Sequence, residues 1–420
     1  MNDYSKLPAM TEPYFGPLHW TSPLNFMSEV KDLYPPKVDI YDVTLRDGEQ
    51  TPGVIWKEDE RVRLAEALAE LGLRRLEVGM PVVNASIPRA IKKILSLNLP
   101  VELMTLCRTK EEDIDLSLDL GLKAVVVEHP INPWICRHSN GLDTPALLDR
   151  LIGSVAYAKE KGLYVNFFGW DAFRCELSYI QNIFGEVVRQ ARPDAVTVTD
   201  TFGVALPEAV KMTIRKIREV VDVPVEFHGH NEFGFGVGAS LAAVEGGASC
   251  LHSAVNGLGE RTGNVATEEI AMALQLLAGV ETGLDMSRLS AVSRLCSEIS
   301  KVPVPAKKPI VGPNLSKVES GLVTDVIYKF LKMGIPTGMS PFAPAMVGGD
   351  PVEFVIGKGS GKANINFYLE KHGVNPDEVT KDQMGDILEA VKSESYVRKA
   401  SLSEKDLMAI CSRIFGRPVE

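Results

Sequence analysis

From Val38 onward the chain alternates short apolar runs with longer amphipathic ones. The apolar runs are Val38–Thr44, Arg75–Gly79, Val101–Thr105, Ala124–His129, Tyr164–Gly169, Ala195–Thr199, Val225–His230 and Cys250–Val255. Each is short and β-branched, as a buried strand should be. Between them the apolar positions recur at helical spacing over Asp59–Leu71, Ala85–Leu97, Lys110–Leu120, Thr144–Lys161, Leu177–Ala191, Pro207–Val221 and Phe235–Gly246, with a last segment at Thr267–Leu277. Glycines stand where several of these helices should stop, at Gly72, Gly121, Gly162 and Gly246–Gly247, the usual place for a left-handed cap. Alternating strands and helices imply a parallel sheet. Eight such units over roughly 250 residues predict an α/β fold of the closed (β/α)8, or TIM-barrel, type. An open doubly wound sheet is the alternative, and eight repeats over-fill it.

The flanks have no such rhythm. Residues 1–37 carry proline and aromatic side chains (Tyr14, Phe15, Trp20, Phe26, Tyr34) without a period and read as an extended amino-terminal arm. The barrel is expected over 38–280. Residues 281–420 are expected to form a linker and a smaller helical module, with a helix at Ser287–Ser300, a proline-rich stretch and a glycine-rich turn at Gly357–Lys362. That turn lacks the GxxxxGK[ST] spacing of a phosphate loop. A coenzyme A phosphate contact through Lys358 or Lys362 stays open.

In a barrel of this type the chemistry collects at the carboxyl ends of the strands. The polar residues of this chain follow that rule. Arg46, Asp47 and Gln50 follow the first run, Arg108 the third, Glu128 and His129 end the fourth, and Asp171 follows the fifth. Thr199, Asp200 and Thr201 end the sixth, His228 and His230 the seventh, and Asn256–Asn264 follow the eighth. Alternate strand residues share a face, so His228 and His230 can address one ion. Asp47 is the carboxylate expected to join them, since one acid and two imidazoles commonly hold a divalent metal and leave positions open. The bland reading of the histidine pair is packed rim residues. Arg46 is either a local partner of Asp47 or a bidentate grip on a substrate carboxylate. Gln50, Arg108, Thr199 and Thr201 are further candidates for holding substrate, with β-branched strand filler as the alternative reading of the threonines. The loop at 257–263 is either a tight turn or the device that brings Asn264 back as an oxygen ligand, braced by Glu260 or Arg261.

Composition narrows the classes. Of 420 residues, 45% are hydrophobic and 24% charged, and the formal net charge is −10. An acidic chain argues against a nucleic-acid or anionic-membrane surface. No apolar run approaches the ~20 residues needed to cross a bilayer, and the amino terminus has no secretory pattern. The six cysteines are scattered singly, which suits a reducing cytoplasm.

Taken together the motifs resemble a known family. LRDGEQ (45–50), LEVGMP (76–81), DTFG (200–203), HGHNEFG (228–234) and GLGERTGN (257–264), followed by KPIVGPN (308–314), ESGLVTD (319–325) and GKGSGK (357–362), are similar to the metal-dependent (β/α)8 acyl transferases and lyases. These include isopropylmalate, homocitrate and citramalate synthases and hydroxymethylglutaryl-CoA lyase. The resemblance covers roughly residues 38–370. It implies a divalent metal (zinc, magnesium or manganese) on Asp47, His228, His230 and Asn264, with Arg46 and Thr201 on the carboxylate of a 2-oxo acid. It implies condensation of an acyl-CoA, acetyl-CoA in the synthases, with that acid. It also implies a homodimer, and too little chain after Lys371 for the regulatory domain of feedback-inhibited synthases. A lyase that cleaves a 3-hydroxy acid or its thioester is the alternative, and a non-catalytic descendant is a third reading.

The departures are specific. Val323 stands where the synthases carry a catalytic histidine, and Asn166 near a strand-five glutamate. The fourth strand ends in Glu128-His129-Pro130-Ile131-Asn132-Pro133-Trp134 where the synthases have a small Thr-Ser turn, and the last glycine loop lacks the lyase cysteine. Glu128 or His129 is therefore expected to take over proton transfer, behind a bulky wall of Phe168, Trp170 and Trp134, and the substrate is expected to differ from the usual branched oxo acid.

Overall fold

The computed structural model describes residues 9–419. Residues 1–8, the start of the expected arm, lie outside the described residues. The chain forms two compact units, one of residues 24–304 and one of residues 9–23 with 305–419.

The first unit is a closed barrel of eight parallel strands: β1 (Asp39–Asp42), β2 (Arg75–Glu77), β3 (Glu102–Arg108), β4 (Ala124–Pro130), β5 (Tyr164–Trp170), β6 (Ala195–Asp200), β7 (Val225–Gly229) and β8 (Cys250–Ser253). It closes by pairing β8 with β1, Cys250 opposite Asp39 through Ser253 opposite Asp42. Helices follow the strands: α1 (Glu58–Glu70), α2 (Ser86–Ser96), α3 (Glu111–Asp119), α4 (Pro133–Asn140), α5 (Thr144–Glu160), α6 (Leu177–Ala191), α7 (Pro207–Arg218), α8 (Gly236–Gly246) and α9 (Thr267–Met272). α10 (Leu289–Ser300) completes the unit. The (β/α)8 architecture expected from the alternating pattern is therefore the observed one. The predicted stop signals act as caps: Gly72, Gly121, Gly162 and Gly247 all have φ between 80° and 102°, a region open to glycine at no steric cost.

The short helix α4 is not announced by any period, because eight residues make barely two turns. Asn132 starts it by accepting from the amides of Trp134 and Ile135, Pro133 sits at its first position, and Gly141 ends it with φ 68°. Each is the residue type expected there.

The alternation of side chains decides what lies inside the barrel. Tyr41, Val43, Met104, Leu106, Ala124, Val126, Phe168, Cys250 and Ala254 form one buried cluster, which assigns the odd positions of β1 and the even positions of β3, β4, β5 and β8 to the interior. A buried polar group lies in the same interior. Glu226 pairs with Arg75 at 2.7 Å and takes hydrogen bonds from Asn166 (2.8 Å) and His252 (2.9 Å). Thr197 donates to Asn166 at 2.8 Å, and the Arg75 guanidinium lies 4.8 Å from the centre of the Tyr41 ring. Asn166 thus belongs to the barrel's packing and answers a carboxylate two strands away on β7.

The second unit has its own core of Phe354, Ile365, Leu369, Ile387, Val391, Leu407 and Cys411. It carries α11 (Gly321–Lys332), α12 (Lys362–Lys371), α13 (Lys381–Arg398) and α14 (Glu404–Phe415). Residues 18–20 are bonded to 341–343 within this unit, Trp20 N to Pro341 O and Ala343 N to Leu18 O, each at 2.8 Å. In the glycine-rich turn the amides of Gly357, Gly359 and Gly361 donate to Ser360, Glu319 and Asn364. A phosphate would have to displace those bonds. Among the described residues no helix is long and apolar enough to cross a membrane.

The Glu226 pair sets a test of the barrel's stability. Burial alone would raise this carboxyl, but the Arg75 charge and the His252 hydrogen bond outweigh it and hold it at about 2. A carboxyl depressed by folding contributes stability that is complete above its ordinary value near 4.5 and is lost as pH falls toward 2. Glu226→Gln leaves the buried Arg75 with only the more exposed Glu102, 3.4 Å from its Nε, as an anionic partner. It is expected to lower unfolding free energy at pH 7 by about 3 kcal/mol and to flatten the acid limb, both read by urea unfolding at a series of pH values.

Candidate active site

The turn after β1 is fixed by the backbone before any side chain acts. The amides of Arg46, Asp47 and Gly48 all point to Val43 O, at 3.1, 2.8 and 3.2 Å. Beneath it the buried Arg61 of α1 donates to Leu45 O at 3.2 Å and pairs with Glu49. The LRDGEQ turn is therefore clamped from below by a helix, and Asp47 is left 3% exposed at the barrel's mouth.

Across the mouth β7 presents two imidazoles. His228 Nε2 lies 3.3 Å and His230 Nε2 3.8 Å from Asp47 Oδ2, and the two Nε2 atoms are 3.3 Å apart. One ligand atom from each of the three residues lies within 4.8 Å of the others, all buried. Burial lowers both histidines to about 4 despite the nearby Asp47 carboxylate, so at neutral pH both are uncharged donors with a lone pair. Burial would raise the Asp47 carboxyl, but Arg46 and the two histidines outweigh it and hold it well below the usual carboxylate range. A buried anion beside two neutral imidazoles is the protonation state a divalent cation requires.

Asn264 fits the same set. It stands opposite His230 in a short antiparallel bridge. Its amide nitrogen donates to Leu258 O at 2.8 Å, while its Oδ1 is buried with no protein partner. A buried acceptor without a donor is costly, and a cation would satisfy it. The glycine loop makes this placement possible. Gly259 has φ 146° and a Cβ there would come within 2.4 Å of Asn264 Nδ2; at Gly263, φ 85°, a Cβ would meet Gly257 O at 1.8 Å. Arg261 braces the loop from outside, pairing with Glu232 at 2.6 Å and donating to Thr201 O. Its guanidinium and that of Arg174 lie 5.1 and 3.9 Å from the centre of the Phe202 ring. Asp47, His228 and His230, with Asn264 beside them, form a candidate divalent-metal site.

Arg46 is shared between local carboxylates and one open edge. Its Nε and Nη2 edge is committed to Glu77 at the end of β2, at 2.7 and 3.2 Å. The outer edge, Nη1 with the second N–H of Nη2, is left, and Nη1 lies 3.5 Å from Asp47 and 3.4 Å from Gln50 Oε1. Glu77 is the residue that sequence reasoning passed over. The signal was a lone carboxylate in the apolar strand motif LEVG, although its choice of partner is tertiary.

Glu128 and His129 part company. Adjacent strand residues face opposite sides. Glu128 follows Ala124 and Val126 to the interior, where Arg46, Glu77 and Asp47 act on it. Burial raises its carboxyl to about 7, against the pull of Arg46. His129 faces outward, 5% exposed, its Nδ1 2.8 Å from Pro130 O, with Arg150 as the charge beside it. Of the expected acid–base pair only Glu128 faces the Arg46–Asp47 group, and His129 is corrected to an outward-facing residue. Arg108 is turned back onto Asp113 of α3 at 2.7 and 2.8 Å and is not brought into the group. Trp134 is no wall: it is 73% exposed on α4 and stacks on His138, ring centroids 4.2 Å apart. Phe168 is, with its ring 5.1 Å from that of His228 and Met80 and Trp170 packed on the same cluster. Thr199 lies beside His228 in register, its hydroxyl oxygen buried with no partner. Thr201 Oγ1 accepts from the amide of Asp171 at 2.8 Å.

The HMGL-like family model matches residues 37–296. The chain belongs to the HMGL-like family. It is 34% identical over 374 residues to a homocitrate synthase AksA from Methanothermobacter thermautotrophicus, covering 89% of this chain and 93% of that protein. It is likewise 34% identical over 384 residues to a 2-isopropylmalate synthase from Methanocaldococcus jannaschii, covering 91% and 73%. Among solved structures an HMG-CoA lyase from Bacillus subtilis superposes with a TM-score of 0.59 at 20% identity, over 65% of this chain and 97% of that one. That likeness shows a shared HMGL-like barrel fold.

The donor set predicts one cation site per chain. Calorimetric titration of metal-stripped protein with Zn2+ or Mn2+ is expected to give a single tight site. Asp47→Asn and His228→Ala should each abolish it while the circular dichroism spectrum is kept. Gly259→Ala, which displaces Asn264, should weaken it by about 10–100-fold.

Proposed function

We propose that this protein is an acyl-CoA:2-oxo acid acyltransferase that joins the methyl carbon of an acyl donor, acetyl-CoA, to the keto carbon of a 2-oxo acid. The observation that carries the reading is the buried Asp47–His228–His230 cluster at the carboxyl end of the barrel, with Glu128 on the same inner surface. The synthase relatives, which match most of the chain, support it.

The residues divide the work as follows. A divalent ion on Asp47, His228, His230 and Asn264, whether zinc, magnesium or manganese, would supply positive charge where the keto oxygen becomes an alkoxide. The Nη1–Nη2 edge of Arg46, which Glu77 leaves available, is the donor for the oxo acid's carboxylate, and the unpartnered Thr199 hydroxyl, in register with His228, is a second one. Glu128 takes the proton from the acyl methyl group. A carboxyl raised to about 7 is suited to that role, since a base is most effective when its pKa lies near the working pH. The carbon–carbon bond then forms, the former keto oxygen is protonated to a tertiary alcohol, and water cleaves the thioester to release the free thiol. Val323 has no proton to give, so no step is assigned to it. Thr201 holds the turn after β6 against Asp171 and lies next to the same mouth; Gln50 positions Arg46.

A homodimer in the cytoplasm completes the reading. The resemblance to the synthases supports the dimer. The six free thiols, five of them buried, suit a reducing compartment.

Thiol release from acetyl-CoA in the presence of a 2-oxo acid, with divalent metal, checks the whole proposal. Release should require both the oxo acid and the metal; release without an oxo acid, or none with any, would count against it. Glu128→Gln is expected to lower kcat by about 10²–10⁴-fold, the range for loss of a proton-transfer group. His129→Ala, which faces away from the mouth, should stay within about twofold of the parent. Equal losses in the two variants would return the proton-transfer role to the pair.

A further inference from the structure

The proposed reaction leaves the acceptor's side chain unspecified, and the charge arrangement at the mouth constrains it. The inference rests on the condensing-enzyme reading. Three carboxyls, Asp47, Glu77 and Glu128, surround a single guanidinium, Arg46. One edge of that guanidinium, Nε with Nη2, is closed by Glu77. A divalent ion on Asp47 would offset the excess of negative charge, and one substrate carboxylate could then meet Arg46 Nη1.

The arginines that end or follow β3, β5 and β8 offer a second carboxylate no such partner. Arg108 stands at an inward position of β3 but is bent away onto Asp113. Arg174 is paired with Asp171, and Arg261 with Glu232. Glu128 of β4 and Phe168 of β5 stand side by side in register, so a distal carboxylate reaching them would meet another carboxyl and an aromatic side chain in a desolvated site. The opposite substituent fits better. Phe168 is 4% exposed, and Met80 and Trp170 pack on the same cluster, so an apolar group there meets an apolar wall.

We infer that the acceptor is a monocarboxylic 2-oxo acid with an apolar side chain, seated on Phe168, and that Glu128 excludes dicarboxylic 2-oxo acids. Glu128 and Phe168 are then specificity-determining residues of this chain. The homocitrate and isopropylmalate synthase relatives give no choice between the two acid classes, whereas the local charge count does.

The test reads binding without turnover. Metal-loaded full-length protein is titrated calorimetrically at pH 8 with pyruvate, 2-oxobutanoate and 3-methyl-2-oxobutanoate, and with oxaloacetate and 2-oxoglutarate, in the absence of any acyl donor. The best monocarboxylic acid is expected to bind at least tenfold more tightly than either dicarboxylic acid. Glu128→Gln should narrow that gap at least tenfold, through tighter dicarboxylate binding. Phe168→Leu, or Phe168→Ala where it folds, should weaken the more apolar acids and leave pyruvate within about twofold. A dicarboxylic acid that binds the parent protein as well as the best monocarboxylic one, or a gap unchanged by Glu128→Gln, overturns the inference. Turnover of a dicarboxylic acid overturns it as well and leaves the condensing reading standing. Selective binding of monocarboxylic acids with no thiol release from acetyl-CoA supports the inference and overturns the condensing reading instead.

Discussion

The site depends on keeping one buried carboxylate ionised. Asp47 sits at the barrel mouth with almost no solvent, where an unpaired anion would take up a proton rather than stay charged. Arg46 and the two imidazoles of β7 hold it charged, and Glu77 in turn holds Arg46. The chain of dependence runs through three strand ends in space, those of β1, β2 and β7, yet each link is short. Removing Glu77 would free Arg46 to swing and take Asp47's nearest cation away. Removing Arg46 would leave Glu77 and Asp47 as two buried acids with no counter-charge. The cluster is therefore a single electrostatic object, and its parts have no separate energies to assign.

Below it lies a second polar layer with a different purpose. Arg75, Glu226, Asn166, Thr197 and His252 satisfy one another inside the barrel. His252 and His228 face each other edge to face, centroids 5.5 Å apart, with Phe168 touching both. The upper layer leaves acceptors and donors open, at Asn264 Oδ1 and the Thr199 hydroxyl; in the lower layer Glu226 and the Asn166 side chain are answered by their neighbours, while Arg75 Nε and His252 Nδ1 have no hydrogen-bond partner.

Much of this was legible in the sequence, for identifiable reasons. The strands announced themselves by short β-branched runs, and the histidine pair by its spacing of two on a run that had to be a strand. Asp47 followed from the rule that barrel chemistry collects at strand ends. The same period-two rule, applied one step further, would have separated Glu128 from His129, since neighbours on a strand cannot share a face. Arg108 was misplaced for another reason: its partner Asp113 lies five residues on, and a short-range ion pair competes effectively with a substrate that is not there. Glu77 with Arg46, and Glu226 with Arg75, could not be read at all. Their partners lie 31 and 151 residues away, and only the closure of the barrel brings them together.

The Phe202 ring between Arg174 and Arg261 ties together segments that leave three different strands. Arg174 follows β5, Phe202 follows β6, and Arg261, which also grips Thr201 O and Glu232, follows β8. Substitutions at these three positions would share partners and so fail to add. A double-mutant cycle between Arg174 and Arg261 would carry a coupling term even though the two side chains meet only across an aromatic face. Natural variation at one of them is therefore constrained by what stands at the other two, and this sector of the rim is expected to drift in sequence as a trio or not at all.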